Sequence, residues 1–243
     1  MGLFRRLARL ATITTLLGGT AAVVAAASPA ASAAPAAGPH GWVRIAHLSP
    51  EAPAMDMYLY PFGNPASPIV LKDVSYGNVS PYMALSPGQY TVAMRGFGAP
   101  ASSKPALTTS FMVGAGAAYT LAALGPDPGL RTEVLRDQMT APQGKAVVRV
   151  LQASLRQPRV TVSYGPDVLA RQLVFGSATS YTAVSPGAHT VRFAVPGEQT
   201  ATPITLAADS VHTIVVLDDG TGLRADAVRV HDSFVGDDLA LGC

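Results

Sequence analysis

Three residues near the start of an apolar run have the side chains that nucleophilic catalysis uses: His47, Ser49 and Asp56. A serine hydroxyl attacks only when a base takes its proton, and a carboxylate commonly orients that base. The spacing here points elsewhere. His47 and Asp56 flank a proline-bounded loop, Pro50 to Pro53, between two expected strands. A His47–Asp56 hydrogen bond that pins this loop, with Ser49 inside it, is the expected role. Ser49 also lacks the sharp strand-to-helix turn of one hydrolase class. No catalytic residue is assigned.

Other residues also carry side chains that could do chemistry. His189 and His212 fall on apolar strand faces, in positions where an earlier part of the chain has Tyr90 and Tyr119. They are candidates for a binding role. A metal would need a third ligand, and none stands at useful spacing. Neither a metal nor a cofactor is expected. Asp218-Asp219-Gly220-Thr221-Gly222 is acidic but lacks the alternating carboxylates of a calcium loop, so it reads as a turn. Trp42 is the sole tryptophan. It opens the first strand, where core packing is expected, and an exposed indole there would suit a sugar. Cys243, the only cysteine, ends the chain. It has no internal partner, which leaves an exposed thiol or an intermolecular disulfide with a second copy or a partner.

These residues sit on a framework that occurs twice. Val43-Arg44-Ile45 matches Val148-Arg149-Val150, and Ser49 and Pro53 fall on Ser154 and Pro158. Tyr76-Gly77 matches Phe175-Gly176, Tyr82 matches Tyr181, and Ser86-Pro87-Gly88 matches Ser185-Pro186-Gly187. Gly129-Leu130-Arg131 matches Gly222-Leu223-Arg224. The order is the same in both copies. The offset shrinks twice, within Pro61–Pro68 and Gly96–Pro105, where loops tolerate loss. The copies span residues 42–139 and 145–232, joined by a linker at 140–144 and followed by a tail at 233–243.

The local pattern is extended throughout. Tyr90, Val92 and Met94 alternate with polar residues, and His189, Val191 and Phe193 do the same in the second copy. Ser-Pro-Gly before each run is a turn, with proline presetting φ and glycine accepting a positive φ. Strand-like runs also occur at Val43–His47, Ala54–Tyr60, Ile69–Lys72, Leu107–Val113, Ala118–Leu124 and Leu130–Leu135. Seven or eight short strands per copy predict an all-β fold of two tandem β-sandwiches, immunoglobulin- or transthyretin-like.

The segment Trp42-Val43-Arg44-Ile45-Ala46-His47-Leu48-Ser49-Pro50-Glu51-Ala52-Pro53-Ala54-Met55-Asp56-Met57-Tyr58 resembles the opening of a bacterial extracytoplasmic family, domain of unknown function 4397. Tyr76-Gly77-Asn78-Val79-Ser80-Pro81-Tyr82 and Pro87-Gly88-Gln89-Tyr90-Thr91-Val92 continue the likeness. The second copy departs from it: Gln152 replaces the histidine, Leu155 the proline and Thr161 the aspartate. The resemblance implies an extracellular sandwich, often in tandem, and brings no activity with it. A site built on the opening motif should be absent from the second copy.

The first 33 residues read as a secretory signal: Arg5, Arg6 and Arg9, then an apolar run, then Ala31-Ser32-Ala33. A flexible arm, residues 34–41, is expected next, as a spacer or as a segment that docks into a partner. The chain has 17 Lys+Arg and 15 Asp+Glu. Three of the basic residues lie in the signal, which has no acid, so the remainder holds 14 against 15, a net −1. No basic stripe is present, which excludes nucleic acid as the natural partner. No later run is long enough to cross a bilayer as a helix. The expectation is a secreted, non-catalytic binding or adaptor protein that links other secreted or cell-surface proteins. The alternative is an extracellular hydrolase, for which only Asp56 and Asp73 stand near the aromatic segment, or a carbohydrate-binding protein.

Overall fold

The protein is described as a computed structural model covering residues 39–64, 66–219 and 222–230. The signal segment, most of the expected arm, the tail and Cys243 lie outside the described residues. Among the described residues the first copy forms eight strands: β1 (Gly41–His47), β2 (Met55–Pro61), β3 (Ile69–Val74), β4 (Met83–Leu85), β5 (Gly88–Gly96), β6 (Leu107–Val113), β7 (Ala118–Leu124) and β8 (Arg131–Asp137). The second forms β9 (Ala146–Gln152), β10 (Arg159–Tyr164), β11 (Asp167–Val174), β12 (Thr182–Val184), β13 (Gly187–Val195), β14 (Glu198–Leu206), β15 (Ser210–Asp219) and β16 (Gly222–Val230). Gly41, expected to end the arm, already belongs to β1.

Each copy is a sandwich of two four-stranded sheets. The first pairs β4-β1-β7-β8 with β3-β2-β5-β6, and the second repeats this as β12-β9-β15-β16 and β11-β10-β13-β14. In both copies one parallel pair, β1 with β7 and β9 with β15, sits among antiparallel neighbours. The alternation read from sequence sets the faces. Tyr90, Val92 and Met94 of β5 point into the first core with Val43, Ile45, Met57 and Leu59. Val191 and Phe193 of β13 point into the second with Val148, Val162 and Tyr164. Gly88 and Gly187, after the two prolines, take φ of 151° and 113°, as the turns require.

The central strands β1, β7, β9 and β15 are buried on both faces, which explains the nearly unbroken apolar runs of β7 and β9. Their second face is a shared core. Ala46, Leu48, Ala122 and Leu124 of the first copy pack against Leu151, Ala153, Val215 and Leu217 of the second. Those are the same four positions in the repeat, so the copies meet through matching faces, as subunits of a twofold dimer do.

Candidate functional site

The opening loop is held by hydrogen bonds that occupy its polar side chains. His47 is fully buried. One ring nitrogen, Nε2, lies 3.0 Å from the Pro53 carbonyl, and Nδ1 lies 3.3 Å from the Ser49 amide. The amide N–H can only donate, so Nδ1 accepts and Nε2–H donates to Pro53. The imidazole is therefore neutral, and burial holds its pKa below the usual histidine value. Ser49 donates through Oγ to the Gly125 carbonyl at 2.7 Å and accepts from the Ala52 amide. The expected His47–Asp56 bond is not what the fold makes, because His47 reaches the backbone across the loop instead.

The second copy repeats the arrangement with different chemistry. The Gln152 Nε2 amide donates to the Gln157 carbonyl at 2.6 Å, and Oε1 accepts from the Ser154 amide at 3.0 Å. A glutamine amide can donate from its nitrogen while accepting at its oxygen, as a neutral imidazole does through its two nitrogens. Ser154 takes the place of Ser49 and donates to the Asp218 carboxylate, which also accepts from the Leu155 amide at 2.9 Å. The opening motif is thus not absent from the second copy in function, only in residue type. A position where Gln does the work of His needs neither a proton transfer nor a metal ligand.

Asp56 has a second pinning role. Its Oδ1 accepts from the Asp73 amide at 3.0 Å and Oδ2 from the Gly98 amide at 3.2 Å. Asp73 takes φ of 55° where the β2–β3 pairing shifts register. In the second copy Gln172 takes φ of 49° at the matching bulge, and its amide is bonded by the Thr161 hydroxyl at 3.3 Å. Asp56 and Thr161 both hold the bent backbone of an edge strand.

The two histidines of the second copy stand on different sheets, His189 on β13 and His212 on β15. His189 packs at 4.5 Å between centroids against the Tyr164 ring, tilted by 51°. His212 is buried, and its Nε2 meets the Ser210 hydroxyl at 2.7 Å, which itself donates to the Ala207 carbonyl at 2.6 Å. The matching Tyr119 reaches the Gly114 amide directly. His212 with Ser210 therefore spans the gap that one tyrosine spans in the first copy. Among the described residues no group of three or more His, Cys, Asp or Glu could hold a metal. Trp42 alternates with Val43, so it faces away from the sandwich core, on the side of Arg44, and is half-buried. The expectation that it packs in the core is corrected accordingly. Asp218 lies at the end of β15, and the hairpin closes with Asp219 opposite Gly222.

Sequence reading missed a buried cluster between the copies. The Asp137 carboxylate accepts from Tyr82, from Thr120 at 2.6 Å and from Arg149. Arg44 lies 3.8 Å from the same carboxylate and bonds Thr120 at 2.8 Å. Arg149 bonds Thr213 at 3.0 Å and the Arg136 carbonyl at 2.9 Å. Each guanidinium lies over a tyrosine, Arg44 on Tyr82 at 4.7 Å and Arg149 on Tyr181 at 4.9 Å. Burial is the main force pushing both phenols up, well away from ionisation. An arginine inside an apolar strand, present in both copies, was the available signal.

The outer face of the β3-β2-β5-β6 sheet carries the other missed feature. Tyr60, Thr91 and Ser110 form one cross-strand row. The next row along is Phe62, Gln89 and Met112, with the Phe62 amide bonded to the Gln89 carbonyl at 2.9 Å. Phe62 is 77% exposed and Met112 62%. Tyr60, Pro61, Phe62, Gly63 and Thr91 line an open apolar groove of about 520 Å³. The second copy has Gly165 and Pro166 in a tight turn where Tyr60 and Pro61 stand, and exposed Thr205 in place of Met112.

The family model described as Domain of unknown function (DUF4397) matches residues 41–163 and again 146–235. None of the curated proteins matches the chain. Solved structures similar to it include the tip fimbrial protein Mfa3 from Porphyromonas gingivalis with C-terminal truncation, at 7% identity and a TM-score of 0.24, covering 79% of this chain and 99% of that one. Another is a proposed cell adhesion protein from Bacteroides uniformis ATCC 8492, at 8% identity and a TM-score of 0.24, covering 80% and 99%. Superpositions this loose carry no function from those proteins to this one.

Proposed function

We propose, from the premise that this chain belongs to the DUF4397 family and carries its domain twice, that it is an exported, non-catalytic adaptor. It binds another secreted or cell-surface protein through the outer face of its first sandwich. The carrying observation is the pair of exposed side chains Phe62 and Met112, on either side of Gln89 in one cross-strand row, with half-buried Tyr60 in the row beside it. Large apolar side chains clustered in water mark interaction surfaces. Aromatic residues and methionine are also the types enriched where protein interfaces are buried. The opening-motif residues that suggested catalysis are meanwhile engaged in holding loops.

Duplication supports the same reading. The shared core joins two copies that differ on their outer faces, so each copy offers a distinct surface. Two linked surfaces raise avidity through effective concentration. Purification of the native protein from culture fluid under gentle conditions tests the proposal. It should emerge in a complex larger than a single copy of the exported chain. Recovery as a lone monomer would count against an adaptor. The Tyr60 and Phe62 rings also suit the apolar face of a sugar, so retention on an insoluble polysaccharide without any protein partner would favour the carbohydrate-binding reading.

A further inference from the structure

The two opening loops occupy matching positions in the repeat and meet at one end of the shared core. Between them lies a cleft of about 370 Å³ lined by Pro50, Glu51, Tyr76, Leu155, Arg156 and Asp218. Pro50 and Leu155 are equivalent positions, and so are Glu51 and Arg156. Divergence of the copies has therefore placed opposite charges on the two walls of a pseudo-symmetric cleft. Tyr76 is fixed within it: its hydroxyl donates to the Asp218 carbonyl at 3.1 Å and accepts from the Asp218 amide at 2.8 Å.

The charges in the cleft are not spent on each other. Among the described residues Arg156 makes no hydrogen bond or ion pair, and Glu51 commits only Oε2, to the Asp127 amide at 3.3 Å. The buried Asp218 carboxylate is engaged by Ser154 and Leu155 but adds negative potential on the floor. A simple anion would meet Arg156 but also two carboxylates. A simple cation would meet the carboxylates but also Arg156. A small molecule carrying both charges satisfies both ends, with the Tyr76 ring, Pro50 and Leu155 against its apolar body. The volume suits a small ligand.

We infer that this cleft binds a small zwitterion of the free amino acid or short peptide class, its carboxylate on Arg156 and its ammonium on Glu51. The inference is independent of the Phe62 surface. The test is titration of the isotope-labelled full chain with L-alanyl-L-alanine, followed by amide resonances. Saturable shifts should centre on Tyr76, Leu155 and Arg156. N-acetylation or C-amidation of the dipeptide should each weaken binding roughly tenfold. Arg156→Ala should abolish the distinction between dipeptide and its amide, and Glu51→Gln that between dipeptide and its N-acetyl form. Both residues are exposed, so both variants should fold. Absence of saturable shifts would overturn the inference. So would equal binding of the capped dipeptides, or a diamine that competes as well as the dipeptide.

Discussion

At the scale of single residues, the duplicated chain serves as its own control. His47 and Gln152 make equivalent pairs of bonds at one position in the repeat, one donated to a loop carbonyl and one accepted from a serine amide. His47→Gln should therefore leave stability within about 1 kcal/mol near neutral pH. His47→Ala strands a buried carbonyl and a buried amide and should cost about 2–4 kcal/mol. Denaturant melts of the two variants distinguish these outcomes. The pH response follows from the lowered pKa. The unfolded chain takes a proton on His47 near pH 6.5 while the folded chain resists it. Stability from the neutral imidazole is thus full above pH 6.5 and falls as pH drops below it. His47→Gln should be less acid-sensitive than wild type across that window. Equal acid sensitivity would show that other groups set the response.

At the scale of elements, the strands were legible because half-buried sheets alternate with a period of two. The runs expected at Leu107–Val113 and Ala118–Leu124 coincide with β6 and β7. The three residues of β4, Met83–Leu85, are too few to show a period, and they escaped notice. The place of His47 beside the Pro50–Pro53 loop was legible, but its partner was not, since Pro53 offers a backbone carbonyl that any residue could supply. Arg44, Arg149 and Asp137 were illegible for another reason. Their meeting depends on the packing of one sheet on another, which no local pattern encodes. Asp137 ends β8 and joins both arginines, so Asp137→Ala leaves buried guanidinium charge uncompensated. It should cost about 3–5 kcal/mol. Replacing the whole charged group by Asp137→Leu with Arg44→Met and Arg149→Met should recover much of that loss, because the penalty lies in the orphaned charge. Urea melts of the single and triple variants measure it, and no recovery in the triple variant would show that the polar cluster is required for packing.

At the scale of the whole molecule, the shared core between the copies predicts one cooperative unit. Leu48, Leu124, Leu151 and Leu217 are each almost wholly buried in it, so separating the copies would expose an apolar face on both. Calorimetry should give a single transition with equal calorimetric and van't Hoff enthalpies. Two resolved transitions would mean that the copies fold independently. The copies joined by this core present outer faces that differ in chemistry, which suits an adaptor. That role rests on the Phe62 and Met112 surface, and its most direct test is the mass of the native complex by size exclusion with light scattering. Phe62→Ser with Met112→Ser should reduce the complex to the chain alone, while the control pair Val168→Ser with Val174→Ser, exposed on the second copy, should leave it intact. A complex that survives the Phe62 and Met112 changes would contradict the account.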